Sequence, residues 1–456
     1  MSRPPLPVGN IAEQDTIRGV QIRDVHTDAI PGPESAALLG QAAAQEGPAV
    51  ARQPSIAWKR AQGVHVEDLD GNLFLDFTSG VLVANVGHAH PQIIAAIREQ
   101  AGELLHTYNF VNHWRVELGR RLLELGEPLG FDRVFIGTTG AEMLELALKL
   151  ARYASHGRYG TLVLDGGYHG KTLAASALGG RGLEGLGELL PGVVRVPFPA
   201  AGRPDSQAQE HAALRCLETL EREGTAAQIG AVVIETVQGN AGQRMSSPSF
   251  LLAIEAFARR HNAVFVIDEV QSAFGRAGSL FAFEQYGLRP DLVVAGKGIS
   301  SSLPLTVMLG VSSVIDGAPP RALSSTHGGN PLSCRLGCVV LDILAAQDLF
   351  ANARTIGAML LVGLREAVSG AGLNAEVRGL GLMIGIEIFD KHGEPDPAFA
   401  NAVVQAAIRR GLLLLAPIGL HKNVVRIAPP LVLTAGQARE GIAVLAQALA
   451  EAAACA

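Results

Sequence analysis

Residues 264–298, VFVIDEVQSAFGRAGSLFAFEQYGLRPDLVVAGKG, contain two apolar runs that each lead to a chemically active side chain. The run VFVID ends at Asp268, and the run LVVAG is followed by Lys297. Continuous apolar runs with longer connections between them are typical of parallel strands that are buried on both faces. Ligands of such sheets bind beyond the carboxyl ends of the strands. Asp268 and Lys297 are therefore expected at the binding edge.

The same pattern continues outside this stretch. Three further apolar runs are predicted as strands, and they alternate with helical patterns: residues 161–165, 192–197 and 231–235. The sequence thus predicts an α/β domain with a mostly parallel sheet that is covered by helices.

The chain divides into three predicted ranges. The large α/β domain is expected over residues 80–325. Residues 1–79 include a predicted hairpin over 65–77, and residues 326–456 have the pattern of an α+β unit. These two outer ranges are predicted to pack together as a smaller α+β domain.

Composition argues against several classes of protein. The 456 residues carry a net charge of −6 without a basic stripe, so a nucleic-acid partner is not expected. No apolar run approaches the ~20 residues that span a bilayer, and the N-terminus lacks the apolar core of a signal peptide. A cytoplasmic protein without membrane association is predicted. Cys334 and Cys338 share a helix face, but a buried pair is favoured over a metal site because no second pair lies nearby.

Residues 161–176, TLVLDGGYHGKTLAAS, partly match a nucleotide-binding loop. Gly170, Lys171 and Thr172 fit that pattern, whereas its first glycine would fall at Asp165, a carboxylate where phosphate should lie. The acidic strand 264–269 would complete an ATPase site. An ATPase with magnesium-dependent nucleotide binding is the remote alternative.

Lys297, Asp268 and a helix start together point to a different ligand. A partly desolvated lysine amine can form a Schiff base with an aldehyde. A fixed aspartate suits a protonated pyridine nitrogen, although it could also cap a strand or bind a metal. Thr138, Thr139 and Gly140 lead into a helix whose N-terminus would attract phosphate, unless it is only a threonine cap. This combination is typical of pyridoxal phosphate, and Tyr168 would lie on its ring.

The sequence resembles the class III aminotransferases, which are pyridoxal-phosphate enzymes of fold type I. Eight motifs carry the resemblance in order, at residues 70–91, 137–143, 168–172, 235–242, 264–305, 326–334, 378–387 and 426–434. It extends from about residue 50 to the end of the chain. The resemblance implies a large domain with a seven-stranded sheet and a smaller α+β domain.

The resemblance also implies roles for individual residues. Lys297 would form the Schiff base and move the substrate proton, and Asp268 would pair with the pyridine nitrogen. The other implied cofactor contacts are Gln271 at the ring hydroxyl, Val270 and Tyr168 on the two faces of the ring, His169 in support of them, Thr139, Gly140 and Ala141 at the phosphate, and Thr326 at the phosphate of the neighbouring subunit. The last role implies a homodimer with active sites at its interface, with a tetramer as the alternative assembly. No metal is expected.

Two departures from the family concern the substrate. Lys171 replaces a common arginine, and a lysine cannot grip a carboxylate in the planar bidentate way. Asn240 replaces a common glutamate, which would otherwise pair with Arg426. Arg426 is therefore predicted as a permanent carboxylate clamp, and Val81 is predicted to line the same pocket.

The leading hypothesis is a transaminase that moves an amino group from an amino acid or amine to an oxo acid or aldehyde by a ping-pong mechanism. Amino-acid racemases, epimerases and a decarboxylase of the same family use the same lysine and aspartate. Racemisation or epimerisation is the alternative, and it needs no second substrate. A catalytically inactive relative is disfavoured because Lys297 and Asp268 are both present.

Overall fold

The computed structural model describes residues 23–454 except residues 28, 51, 52 and 204. The strands are β1 (Trp58–Gln62), β2 (His65–Asp68), β3 (Leu73–Asp76), β4 (Arg133–Gly137), β5 (Gly160–Leu164), β6 (Val193–Val196), β7 (Ile229–Ile234), β8 (Val237–Gln238), β9 (Arg244–Met245), β10 (Val264–Glu269), β11 (Leu292–Ala295), β12 (Thr306–Gly310), β13 (Ala375–Leu380), β14 (Met383–Ile388), β15 (Leu412–Leu413) and β16 (Val424–Ile427).

The helices alternate with these strands through most of the chain. They are α1 (Pro33–Glu46), α2 (Ser79–Leu82), α3 (Pro91–Ala101), α4 (His113–Gly126), α5 (Gly140–Ala154), α6 (Leu173–Gly179), α7 (Ser206–Arg222), α8 (Pro248–Arg260), α9 (Ser312–Ile315), α10 (Pro331–Ala346), α11 (Leu349–Gly370), α12 (Pro397–Arg409) and α13 (Ala435–Ala454). Among the described residues no single helix is long and apolar enough to cross a bilayer, and only the pair α10 and α11, bent by 64°, reaches that size and composition together.

The largest sheet has seven strands in the order β4-β12-β11-β10-β7-β5-β6. Strand β12 runs antiparallel to both of its neighbours, and the other pairings are parallel. The predicted mostly parallel α/β sheet is therefore confirmed. Every residue of β7, β10, β11 and β12 is buried, which explains why these strands are continuous apolar runs rather than alternating ones.

Helix α5 covers one face of this sheet. Its side chains Met143, Leu144 and Ala147 are fully buried in one core cluster with Val266 and Val294 of the central strands. The helix begins after Thr139, whose side-chain oxygen accepts a hydrogen bond from the Glu142 amide at 3.3 Å. This cap satisfies one amide of the first turn and fixes where the helix starts at the sheet edge.

The described residues form two compact units. The first contains the residues up to Ile94, the segment Gly275–Gly278 and the residues from Asp342 onwards. The second contains Ala95–Phe274 and Ser279–Leu341, including the seven-stranded sheet. The three domain ranges drawn from the sequence remain a prediction.

The first unit holds the predicted hairpin and two antiparallel sheet regions. Strands β2 and β3 pair antiparallel, as the turn at residues 70–72 predicts, and β15 joins β3 in parallel. A second sheet has the order β13-β14-β16. Strand β16 ends at Ile427, because Pro429 and Pro430 have no amide hydrogen with which to continue a ladder.

Candidate active site

The register of the large sheet brings the predicted strand ends to one edge. Ile267 of β10 pairs with Ile234 of β7, and Asp268 pairs with Val294 of β11. Glu235 therefore follows its strand at the level of Asp268, and Lys297 follows three residues after Val294 at the same edge. A cavity lies at these carboxyl ends, where the sequence predicts the chemistry.

This cavity has a volume of about 290 Å³. Its lining residues are Gly140, Ala141, Tyr168, His169, Gly170, Lys171, Asp268, Val270, Gln271 and Lys297. Nearly all of them were identified from the sequence, and they come from three separate strand ends and the start of α5. The sheet thus assembles in one place residues that lie far apart in the chain.

Lys297 lies in a strained backbone conformation. Its φ is 44°, in the left-handed region that a residue with a side chain seldom adopts. Gly296 precedes it, and a Cβ atom there would lie 3.0 Å from Oγ1 of Thr306. The glycine therefore lets the chain pass close to β12 and turn sharply, which leaves Lys297 half-buried on the cavity wall. Backbone strain of this kind is concentrated at functional sites.

Asp268 and His169 form a buried pair. Nδ1 of His169 lies 2.8 Å from Oδ2 of Asp268, and the amide of Val270 donates to Oδ1 of Asp268 at 3.0 Å. Burial lowers the pKa of His169, but the hydrogen bond to Asp268 and the charges of Asp268 and Glu235 outweigh it and raise that pKa. Both carboxylate oxygens are thus held in place, so the aspartate presents a fixed negative charge to the cavity.

Glu235 lies at one of the strand ends where the sequence predicts chemistry, although no role was predicted for it. It is buried directly after β7, where its two oxygens accept hydrogen bonds from the amides of Tyr168 at 2.8 Å and Gly239 at 3.4 Å. Burial raises its pKa to about 7, His169 opposes that shift and Asp268 adds to it. Its position after an apolar strand was the available signal. The side chain fixes the backbone of Tyr168 and adds a titrating group beside Asp268.

The residues present fit a pyridine ring with a phosphate. Gly140 opens α5 against Val270, and a Cβ atom on this glycine would lie only 3.1 Å from the valine methyl carbons. The first turn of a helix of this length offers unpaired amides and a positive dipole end to an anion. Oε1 of Gln271 is buried without a hydrogen-bond partner among the described residues. A polar ligand group would satisfy that oxygen.

Four predicted site residues are not part of this cavity wall. Thr139 is exposed and caps α5, and Thr326 is exposed in the turn before α10. Val81 and Arg426 belong to the first unit. Val81 has a φ of 66° within a left-handed turn, and Arg426 is buried in β16 with its Nε unpaired among the described residues. Burial lowers the pKa of Arg426 to about 10.

A second cavity adjoins the first and carries positive charge. It has a volume of about 380 Å³ and shares Tyr168, Gly170 and Lys171 with the cofactor-sized cavity. Arg181 also lines it, and burial lowers the pKa of this arginine while Glu235 opposes the shift. The lining contains Asn240 and no acidic residue. Sequence reasoning identified Lys171 here but missed Arg181.

Comparison with known proteins identifies the family. The class-III aminotransferase family matches residues 48–449, which is most of the chain. The chain belongs to the class-III aminotransferases. Its fold and enzyme class are therefore those expected from the sequence, and it depends on pyridoxal phosphate. The aminotransferase assignment replaces the ATPase alternative.

Individual relatives agree with this assignment. The chain is 36% identical over 407 residues to the 4-aminobutyrate aminotransferase GabT of Escherichia coli strain K12, covering 86% of this chain and 93% of the relative. It is 30% identical to an alanine/serine racemase of Pyrococcus horikoshii, covering 86% and 85% respectively. It also superposes on a pyridoxal-phosphate-bound amine transaminase of an uncultivated Pseudomonas species, with a TM-score of 0.82, 30% identity, and 89% of this chain and 98% of the other covered.

Proposed function

We propose that this class-III aminotransferase takes its amino group from a donor that carries a carboxylate away from the amine, as an ω-amino acid does. The observation that carries the proposal is the cationic cavity beside Lys297, where Lys171 and Arg181 line a space without an acidic residue. Two cations with no acid in the lining favour an anionic ligand group. The E. coli relative, which acts on 4-aminobutyrate, supports the same class of donor.

The cofactor-sized cavity supplies the groups for amino transfer. Bound pyridoxal phosphate supplies an electron sink, which makes the proton on the amine-bearing carbon acidic. The Lys297 amine would hold the cofactor covalently and then carry that proton, since the amine is half-buried on the cavity wall. The Asp268 carboxylate would keep the pyridine nitrogen protonated, and His169 would fix the orientation of the carboxylate at 2.8 Å.

The remaining residues would hold the cofactor. Val270 and Tyr168 would contact the ring, and Gln271 would bind the ring hydroxyl through its unpaired Oε1. Thr139, Gly140 and Ala141 lie at the start of α5, where the helix dipole favours the phosphate.

Two further roles extend the site beyond this cavity. The buried, unpaired Nε of Arg426 supports its proposed role as a second carboxylate clamp, and Val81 is proposed to line that pocket. Thr326 is proposed to act on the cofactor phosphate of the other chain in a homodimer, which is also the proposed assembly. A cytoplasmic location is proposed from the composition of the chain.

A donor series without an acceptor tests this function. Purified holoenzyme is mixed with 4-aminobutyrate, 5-aminovalerate, L-alanine or butylamine, and the visible cofactor absorption is followed. We expect stoichiometric loss of the band with an ω-amino acid. Butylamine, in which a methyl group replaces the carboxylate of 4-aminobutyrate, should react at least roughly tenfold more slowly. Equal rates for the two would contradict the proposed donor class.

Two variants assign that preference to the second cavity. Lys171→Met and Arg181→Met should each raise KM for 4-aminobutyrate and leave the butylamine reaction unchanged, because butylamine has no carboxylate to bind. An unchanged KM in both variants would remove the cationic cavity from the donor site.

Racemisation is the second candidate, and the relative named as an alanine/serine racemase favours it. In the same series it predicts that the cofactor band persists while L-alanine loses its optical activity.

A further inference from the structure

A groove on the outer side of α5 is separate from the two cavities described above. It has a volume of about 570 Å³, larger than either of them. The residues that line it, called the α5 groove below, are Glu145, Leu148, Lys149, Arg152, Tyr153, His156, Gly157, Ala174 and Leu190. Volumes between about 300 and 1,000 Å³ are typical of small-molecule sites.

The charged residues of the α5 groove are mostly basic. Lys149, Arg152 and His156 line it, against one acid, Glu145. Oε1 of Glu145 is already occupied, because it accepts hydrogen bonds from the Thr172 hydroxyl and the Ala175 amide. The Nζ atom of Lys149 donates to the carbonyl of Ala322 at 2.8 Å, which fixes the position of its charge.

Arg152 gives this groove its second, independent feature. Its Nε and Nη2 atoms are buried, and neither finds a hydrogen-bond partner among the described residues. A buried donor without a partner is costly, and a guanidinium edge with two free N–H groups matches the two oxygens of a carboxylate or sulfonate. The rest of the wall is apolar, with Leu148, Tyr153 and Leu190.

We propose that the α5 groove is a second ligand site, which takes a small organic anion with an apolar body. The acidic group would pair with the guanidinium of Arg152, and the apolar body would pack on Leu148 and Leu190. Lys149 would add to the attraction as a charged residue of the groove. The site lies outside the cofactor cavity, so its occupancy does not depend on the amino-transfer reaction.

Calorimetric titration with 8-anilinonaphthalene-1-sulfonate tests the proposal, since this probe combines an anion with an apolar body. The holoenzyme is first saturated with pyridoxal phosphate, so that the probe cannot occupy the cofactor cavity. We expect a site on each chain that weakens roughly tenfold or more in Arg152→Met and keeps its affinity in Arg181→Met, which alters only the cationic second cavity. Ala174→Phe, which fills the groove and keeps its charges, should remove the same site.

A matched control is Arg222→Met, which removes an exposed arginine from α7. It should bind the probe as the wild type does, and melting temperature and cofactor absorption show that each variant is folded. If the wild type has no such site, or if Arg152→Met and Ala174→Phe both bind the probe unchanged, the proposal is wrong. If Arg222→Met weakens binding as much as Arg152→Met, the site is not the α5 groove.

Discussion

Glu235 shows how one buried side chain can set the pH response of an active site. Its carboxyl group accepts a hydrogen bond from the amide of Tyr168. It also interacts electrostatically with Asp268 and His169. The partly buried cation Arg181 also interacts with it. The pKa of Glu235 rises from an ordinary 4.5 to about 7, chiefly because of burial. The folded protein therefore keeps this proton to a higher pH than the unfolded chain does.

This linkage predicts a pH-dependent effect of Glu235→Gln. The contribution of the Glu235 proton to the free energy of unfolding is greatest below pH 4.5. It is lost as the pH rises through about 7, and the whole shift corresponds to ~3 kcal/mol. The variant has no such proton to lose. The difference in melting temperature, variant minus wild type, should therefore be more positive at pH 8 than at pH 5. The altered hydrogen bonds should lower the melting temperature of the variant by the same amount at both pH values.

Glu218→Gln provides the control for this measurement, because Glu218 is exposed on α7. Its melting temperature should differ from that of the wild type by the same amount at both pH values. An equally flat difference for Glu235→Gln would show that Glu235 does not titrate in this range.

At the scale of elements, α11 depends on a glycine for its close approach to a turn. A Cβ atom on Gly357 would lie 2.1 Å from the carbonyl oxygen of Gly381, between β13 and β14. The neighbour is backbone and cannot rotate away. Gly357→Ala should therefore destabilise the first unit by roughly 1–3 kcal/mol, as overpacking does.

Thermal unfolding of the holoenzyme measures this effect. Gly370→Ala is the control on the same helix, since a Cβ atom there meets nothing within 4 Å. It should leave the melting temperature unchanged or raise it, because alanine favours a helix more than glycine does. If both variants melt alike, α11 is not limited by contact with the Gly381 turn.

The elements also show what the sequence could predict. Buried strands such as β10 were recognised because both of their faces are apolar, and hydrophobic runs record burial directly. The position of Lys297 followed from the same pattern. The position of Glu235 after an apolar strand was visible in the sequence, but its contact with Tyr168 and the place of Arg181 in the second cavity arise from packing between distant segments, which no local pattern records. The left-handed turn at Val81 was equally hidden, because φ in a loop depends on its surroundings.

At the scale of the whole molecule, the proposed role of Thr326 can be tested through assembly. Lys297→Ala removes the lysine that is proposed to be catalytic, and Thr326→Ala should weaken cofactor binding. If Thr326 acts on the other chain's cofactor, a mixed dimer of these two variants contains one site with both native residues. Mixing should therefore restore activity at low pyridoxal phosphate concentration.

Neither variant alone should show that activity. A mixture that exchanges subunits but stays as weak as its components would place Thr326 in its own chain's site, or outside the site altogether. Mass measurement of the mixed complex confirms that exchange has taken place.

The most direct test of the whole account is to find which lysine carries the cofactor. Holoenzyme is reduced with borohydride, digested, and analysed by mass spectrometry. The account predicts that the mass of reduced pyridoxal phosphate appears on the peptide containing Lys297, and that Lys297→Ala loses it. Label on Lys171 instead, or no label on any lysine, would contradict the assignment of Lys297 and with it the proposed chemistry of the cavity.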